Sequence, residues 1–177
     1  MKILAFAASN HSNSINRQLV NYAAGRLAQM QPSVQIEYLD LNDYEMPIYS
    51  IDREKADGIH SSAKAFYEKI GEADALLIAF AEYNGFVTSA WKNIFDWMSR
   101  IDMKIWQDKD AVILAATPGS RAGANVLNSQ ETLAPFFGMN IKGKFGVGLW
   151  NDSWDGNVLI KQEDTEGVDA ALQGLLS

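Results

Sequence analysis

An uninterrupted apolar run at 75–80, which reads ALLIAF, limits the folds that this chain can adopt. A short apolar run between polar residues is typical of a parallel strand buried on both faces. Further strand-like segments lie at 2–7, 34–39, 110–116 and 140–149, and helical patterns lie at 14–30, 61–72, 89–100, 124–137 and 164–176. Strands joined by helical crossovers run parallel. The sequence therefore predicts an α/β fold with three layers, and it predicts irregular chain over 42–57.

Length and composition fit one globular domain that spans residues 1–177. A chain of 177 residues is long enough for a full core and short for two domains. Apolar residues make up 47% of the chain, but no apolar run is long enough to cross a bilayer, so we expect no membrane partner. The absence of cysteine excludes disulfides and thiolate chemistry, and it fits a cytoplasmic protein.

Charge and motif content exclude several classes of function. The formal net charge is −7, which argues against a nucleic-acid partner because phosphate neutralisation needs a basic surface. Two histidines are too few for a histidine-rich metal site, and the acidic residues at 40–45 lack a metal-binding spacing, so we predict no metal. No G-x-S-x-G elbow, G-x-G-x-x-G word or P-loop is present, which disfavours a hydrolase or a dinucleotide-type phosphate loop.

The loop after the first predicted strand, loop one at 8–16, is rich in Ser and Asn and leads directly into a helix. Unpaired N–H groups at a helix start favour an anion, and short hydroxyls and amides add donors. Ser and Asn are also the best N-caps, so the loop alone leaves open a plain capping role. The candidate phosphate-binding residues are Ser9, His11, Ser14, Ile15 and Asn16.

Two further loops follow predicted strands and should lie at the same edge of the sheet. In loop three, at 82–86, Tyr83 offers a flat face, Asn84 a donor and an acceptor, and Gly85 close backbone approach to a ring. Loop four, at 117–124, offers small residues and backbone N–H groups. Taken alone, each of these two loops is better explained as an ordinary turn or connection. The candidate residues here are Glu82, Tyr83, Asn84, Gly85, Pro118, Gly119 and Ser120.

The words EYNG at 82–85 and K-N-x-x-D-W at 92–97 resemble the signature of the NADPH-dependent FMN reductase family. The family's loop one reads G-S-x-R-x-x-S-x-N-R, and it is matched here at Ser9, Ser14, Asn16 and Arg17. Ala8 and His11 stand where the family has Gly and Arg. Within 81–97, the chain departs from the family signature at Ala81, Phe86, Thr88, Ser89 and Trp91.

The resemblance implies a flavodoxin-like fold with a five-stranded parallel sheet of order 2-1-3-4-5. It implies FMN as cofactor, held by the candidate residues above, and NADPH or NADH as co-substrate. Hydride would pass from nicotinamide to FMN, and electrons would then pass to an acceptor such as a quinone, an azo compound, a metal oxyanion or free flavin. That hydride step needs no acid or base, so we assign no catalytic residue. Family members also imply a homodimer or homotetramer.

Two other functions remain open from the sequence. The acidic chain could be a flavodoxin-type electron carrier that acts with protein partners, or a binding module that kept the fold and lost the flavin. Some aromatic residues also have two interpretations: Trp91 and Phe95 suit either a subunit contact or the core, and Trp150 and Trp154 suit either a pocket wall or packing.

Overall fold

A computed structural model of the chain describes residues 1–176. The strands are β1 Lys2–Ala8, β2 Gln35–Leu39, β3 Ala75–Phe80, β4 Glu82–Tyr83, β5 Phe86–Val87, β6 Lys109–Ala116 and β7 Met139–Val147. The α-helices are α1 Ile15–Met30, α2 Ile51–Asp57, α3 Ser61–Glu72, α4 Ser89–Met98, α5 Ala124–Leu133, α6 Trp150–Ser153 and α7 Gln162–Gln173. Short 3₁₀ turns cover Leu41–Tyr44 and Ala134–Phe137.

Five strands form one parallel sheet in the order β2-β1-β3-β6-β7. Strands β4 and β5 form a separate antiparallel hairpin. Without the hairpin, the sheet order is 2-1-3-4-5, so the predicted flavodoxin-like fold is confirmed. The carboxyl ends of β1, β3 and β6 therefore lie side by side at one edge.

Alternation along the strands divides the core into two layers, because successive side chains point to opposite faces. In β1, Ile3 and Ala5 face the side covered by α1 and α7, whereas Leu4 and Phe6 face the side covered by α3, α4 and α5. The six residues of β3 are all buried, as the apolar run predicts. Within residues 1–176, no helix is long and apolar enough to span a membrane.

The prediction of irregular chain over 42–57 is wrong in part. Helix α2 occupies Ile51–Asp57, and Ser50 caps it by accepting a hydrogen bond from the N–H of Arg53 at 3.2 Å. None of its residues is fully buried, so the apolar spacing that identifies a helix is absent there. The predicted helix at 124–137 also ends early, at Leu133, because Pro135 lies in the 3₁₀ turn that follows.

Two tryptophans belong to the core. Trp91 is 1% exposed and stacks on Trp106 with ring centroids 5.4 Å apart, which leaves almost no surface for a subunit contact. Trp150 is equally enclosed, at 3% exposed, and stacks on Trp154 at 4.9 Å. Packing is therefore the correct interpretation for both residues.

Candidate functional site

Loops one, three and four meet in a cavity of about 220 Å³ at the carboxyl ends of β1, β3 and β6. The lining residues are Ser9, His11, Asn13, Ser14, Ile15, Asn16, Ala81, Glu82, Tyr83, Ala116, Thr117 and Pro118. Most of the predicted site residues are among them. The predicted residues outside this lining are Asn84, Gly85, Gly119 and Ser120. They belong to the adjoining parts of loops three and four.

A larger groove, of about 470 Å³, lies between α1 and the edge strand β2. Two of its charged residues, Arg17 and Asp40, form an ion pair with each other. We assign the site to the smaller cavity because three strand-end loops converge there, as expected for a ligand site in an open α/β sheet.

The loop-one wall is a set of hydrogen-bond donors at the start of α1. Ser14 caps the helix, and its hydroxyl accepts from the N–H of Arg17 at 3.4 Å. Ser9 is buried, and its hydroxyl accepts from the N–H of His11 at 3.2 Å. The N–H groups of Ile15 and Asn16, in the first turn of α1, have no acceptor within the described chain. Such a set of donors fits a phosphate group.

Asn16 has a different role from the one expected of a ligand. Its side chain is 2% exposed, its Nδ2 donates to the carbonyl of Ala116 at 3.0 Å, and its Oδ1 accepts from the N–H of Ala116 at 2.8 Å. Both polar atoms of the amide are therefore engaged by the last residue of β6. Arg17, the other family residue of this stretch, points to Asp40.

The EYNG segment at 82–85 lies in a tight β-hairpin, which was not predicted from the sequence. Glu82 pairs with Val87 and Tyr83 with Phe86, so Asn84 and Gly85 are the two turn residues. Both have positive φ, 54° and 81°, which is the requirement of a two-residue type I′ turn. The Asn-Gly dipeptide was the available signal. Tyr83 is 52% exposed beside the cavity and offers the flat surface that was predicted.

Glu82 caps helix α5 from outside the helix. Its Oε2 accepts from the N–H of Val126 at 3.0 Å. Gly123, the residue before α5, supplies no side-chain cap of its own. The carboxylate therefore satisfies a first-turn amide and opposes the positive end of the helix dipole. This contact fixes loop three to the end of loop four.

The K-N-x-x-D-W word holds a neighbouring segment in place. Asn93 accepts from the N–H of Tyr49 at 2.8 Å and donates to the carbonyls of Met46 and Pro47, each at 3.2 Å. The indole of Trp97 donates to the same carbonyl of Pro47 at 2.8 Å. These family residues therefore organise the chain at 46–49.

A comparison with known proteins gives the family. The family model described as NADPH-dependent FMN reductase matches residues 1–152. The chain belongs to the NADPH-dependent FMN reductase family. Membership makes it an NAD(P)H-dependent FMN oxidoreductase, with FMN as cofactor and NAD(P)H as co-substrate.

The chain is also similar to individual proteins in sequence and in fold. An uncharacterized protein of Mycoplasma pneumoniae is 29% identical over 161 residues, which cover 87% of this chain and 91% of that protein. An Arabidopsis thaliana NADPH:quinone oxidoreductase is 32% identical over 123 residues, which cover 70% of this chain and 61% of that protein. In structure, the Paracoccus denitrificans flavoenzyme FerB superposes with a TM-score of 0.74 at 19% identity, over 99% of this chain and 94% of FerB.

The donors of the cavity fit the cofactor of the family. The lining combines two backbone amides that have no acceptor within the described chain, at Ile15 and Asn16, with the buried hydroxyls of Ser9 and Ser14 and the exposed ring of Tyr83. Among residues 1–176, no cluster of three or more His, Cys, Asp or Glu could hold a metal ion.

Proposed function

We propose that this family member passes electrons from NADPH or NADH, through FMN, to a small quinone. The observation that carries the proposal is the convergence of the α1 amide donors and the exposed Tyr83 on one cavity. The quinone is chosen because the plant relative is named as an NADPH:quinone oxidoreductase. Azo compounds, metal oxyanions and free flavin are the other acceptors of this proposal.

In this proposal the chain binds and orients, and FMN supplies the two-electron chemistry when bound. The backbone N–H groups of Ile15 and Asn16 would hold the phosphate, together with the side chains of Ser9, Ser14 and His11. Tyr83 and the hairpin turn would flank the ring, and the backbone of loop four would face its polar edge. No side chain is assigned as a proton donor or acceptor.

Steady-state kinetics test the choice of acceptor. FMN-loaded protein should oxidise NADPH or NADH only when an acceptor is present, with ping-pong kinetics for a benzoquinone. Turnover should be higher with the benzoquinone than with an azo dye, ferricyanide or free FMN at equal concentration. Protein desalted without FMN is the control for background oxidation. A higher kcat/KM for any of the other acceptors would contradict the quinone assignment.

We also propose a cytoplasmic homodimer or homotetramer with a single FMN-binding domain at 1–177. Support for self-association comes from Phe86 and Phe136, which are 41% and 72% exposed. Large exposed aromatic side chains are common in contact surfaces. Sedimentation velocity should give a multiple of the 19.6 kDa chain, and a Phe136→Asp variant should shift the distribution toward monomer. Monomer alone in the parent would contradict the proposal.

A further inference from the structure

Loop four connects β6 to α5, and side chains from the other two loops are attached to both of its ends. At its start, Ala116 is held by Asn16, the last residue of loop one. At its end, the amide of Val126 is held by Glu82, which begins loop three. The three walls of the cavity thus share loop four as a common anchor.

The Asn16 contact replaces a missing strand. The register of β3 with β6 ends at Ala79 and Leu114, so Ala116 lies beyond the last paired residue. The N–H of Thr117 points to β7, where it donates to the carbonyl of Val147 at 3.0 Å. Because backbone groups alternate along a strand, those of Ala116 point to the opposite side, where β3 has ended. The Asn16 amide supplies the acceptor and the donor that a strand residue would have supplied.

Strand β7 also restrains the position of loop four. A Cβ atom at Gly146 in β7 would overlap the carbonyl oxygen of Ala122. The loop backbone therefore lies directly against β7. Ala122 itself has a positive φ of 53°, which costs energy for a residue with a side chain and persists only where the surroundings hold it.

We propose that Asn16 and Glu82 are positioning residues, which set the width of the cofactor cavity by holding the two ends of loop four. This inference rests on the proposed FMN site. It gives a positioning role to Asn16 and Glu82, which the sequence predicted as FMN ligands. Asn16 has no free polar atom to offer a phosphate except its backbone N–H. A carboxylate at position 82 would repel an anionic ligand, but it stabilises the start of α5.

The first test uses the protein without flavin and measures amide hydrogen exchange. Asn16→Leu removes both bonds to Ala116 at similar side-chain size, and Glu82→Ala removes the cap. Each should accelerate exchange in 116–126 about tenfold or more, because a lost buried hydrogen bond is worth about one decade. Glu82→Gln keeps an acceptor and loses the charge that opposes the helix dipole, so its exchange rate should lie between those of the parent and Glu82→Ala. The matched controls are Asn21→Leu and Glu68→Ala, at exposed positions of α1 and α3.

Exchange in β2, at Gln35–Leu39, distinguishes local loosening from general destabilisation. Under the proposal, β2 exchanges as in the parent while 116–126 exchanges faster. Parent-like exchange throughout 116–126 in both variants would overturn the proposal. So would equal acceleration in β2 and loop four. If Asn16→Leu does not fold, Asn16→Asp keeps the acceptor for the Ala116 N–H and removes only the donor, so the same measurement remains decisive.

The second test compares FMN with riboflavin, which lacks the phosphate. A positioning residue should lower the affinity for both flavins by the same factor, about tenfold. Loss of FMN affinity with unchanged riboflavin affinity in Asn16→Leu would identify a direct phosphate ligand and overturn the proposal. If the parent binds neither flavin, the proposed function fails, and the exchange experiment still decides whether Asn16 and Glu82 anchor loop four.

Discussion

His11 is the residue at which this chain departs most consequentially from its family. It is exposed at the mouth of the cavity, where the family has an arginine. An arginine presents a planar fork of N–H donors that matches a phosphate, and an imidazole has no such fork. We therefore expect a weaker contact to a phosphate at this position than in the family.

We predict that His11→Arg raises the affinity for FMN. A guanidinium can donate two parallel hydrogen bonds to a phosphate. A charge-assisted hydrogen bond is worth roughly 1.5–3 kcal/mol, so the gain should be about tenfold or more. Calorimetric titration measures it, and titration with riboflavin, which lacks the phosphate, is the control. Equal FMN affinity in His11→Arg and the parent would show that position 11 does not contact the phosphate.

Gly85 offers a sharp test of the hairpin, because Gly58 is a natural control. The two residues have similar positive φ, 81° and 75°. A Cβ at Gly85 would lie 3.3 Å from the Asn125 amide, whereas a Cβ at Gly58 would have open space among the described residues. Both Gly85→Val and Gly58→Val should cost backbone strain, on the order of 1–3 kcal/mol each, because both residues have positive φ.

Only the Gly85 variant should weaken FMN binding, since only that residue shapes the hairpin beside the cavity. Thermal unfolding reports the shared strain, and fluorescence titration with FMN reports the difference. Comparable FMN affinity in the two variants would place the hairpin outside the site.

At the scale of elements, α4 is the clearest case of a family word with a structural role. Asn93 and Trp97 hold the segment at 46–49 through its backbone. Asn93→Ala should lower the free energy of unfolding by about 1–3 kcal/mol, because partly buried backbone groups lose their partners. Urea denaturation measures the loss.

The matched control for this variant is Asn140→Ala. Asn140 makes one exposed side-chain bond, to the carbonyl of Asp108 at 2.9 Å, so its loss should be smaller. An unfolding free energy for Asn93→Ala within error of the control would remove the proposed role of α4.

A charge cluster joins β1, β2 and α3. Glu37 contacts Lys2 at 2.7 Å and Lys69 at 2.9 Å. Hydrogen bonds from Lys2 and then Lys69 lower the pKa of Glu37 below its usual 4.5. The bond to Glu37, followed by that to Glu72, raises the pKa of Lys69 to about 12. Stabilisation by Glu37 is therefore fully present above pH 4.5, and it is lost as the pH falls through the lowered pKa of this carboxyl. Stabilisation by Lys69 is fully present below pH 10.5, and it is lost as the pH rises through about 12.

The Glu37→Gln variant should flatten the acid side of this profile. Its Tm should fall less steeply than that of the parent as pH decreases below 4.5, since the variant has no carboxylate to protonate at this position. Glu68→Gln, at an exposed position of α3, is the control. Identical acid slopes for Glu37→Gln and the parent would show that the cluster makes no contribution to folding.

The elements that the sequence predicted correctly are those with long apolar periodicity. The buried run of β3 and the spaced apolar residues of α1 appear within one or two residues of the predicted positions. The missed elements have a common physical cause. Helix α2 has no buried residue, and the β4–β5 hairpin is too short to show an alternating pattern, although Asn84-Gly85 is a turn signal.

On the scale of the whole molecule, spacing alone predicted parallel strands, but the sheet order came from the resemblance. The order decides which loops meet, and loops one, three and four do meet around one cavity. The sequence alone does not show which hydrogen-bond partner each polar side chain has. Asn16 and Glu82 satisfy backbone groups 100 and 44 residues away, and such long-range partners leave no local pattern.

The central claim is that FMN sits in this cavity and accepts electrons from a nicotinamide cofactor. The most direct measurement mixes the FMN-loaded protein anaerobically with NADPH or NADH and follows the flavin absorbance. We predict that at least one of the two nicotinamides bleaches bound FMN in a two-electron step, and that added quinone restores the colour. Bound FMN that bleaches with dithionite but with neither nicotinamide would contradict the claim and would favour an electron carrier.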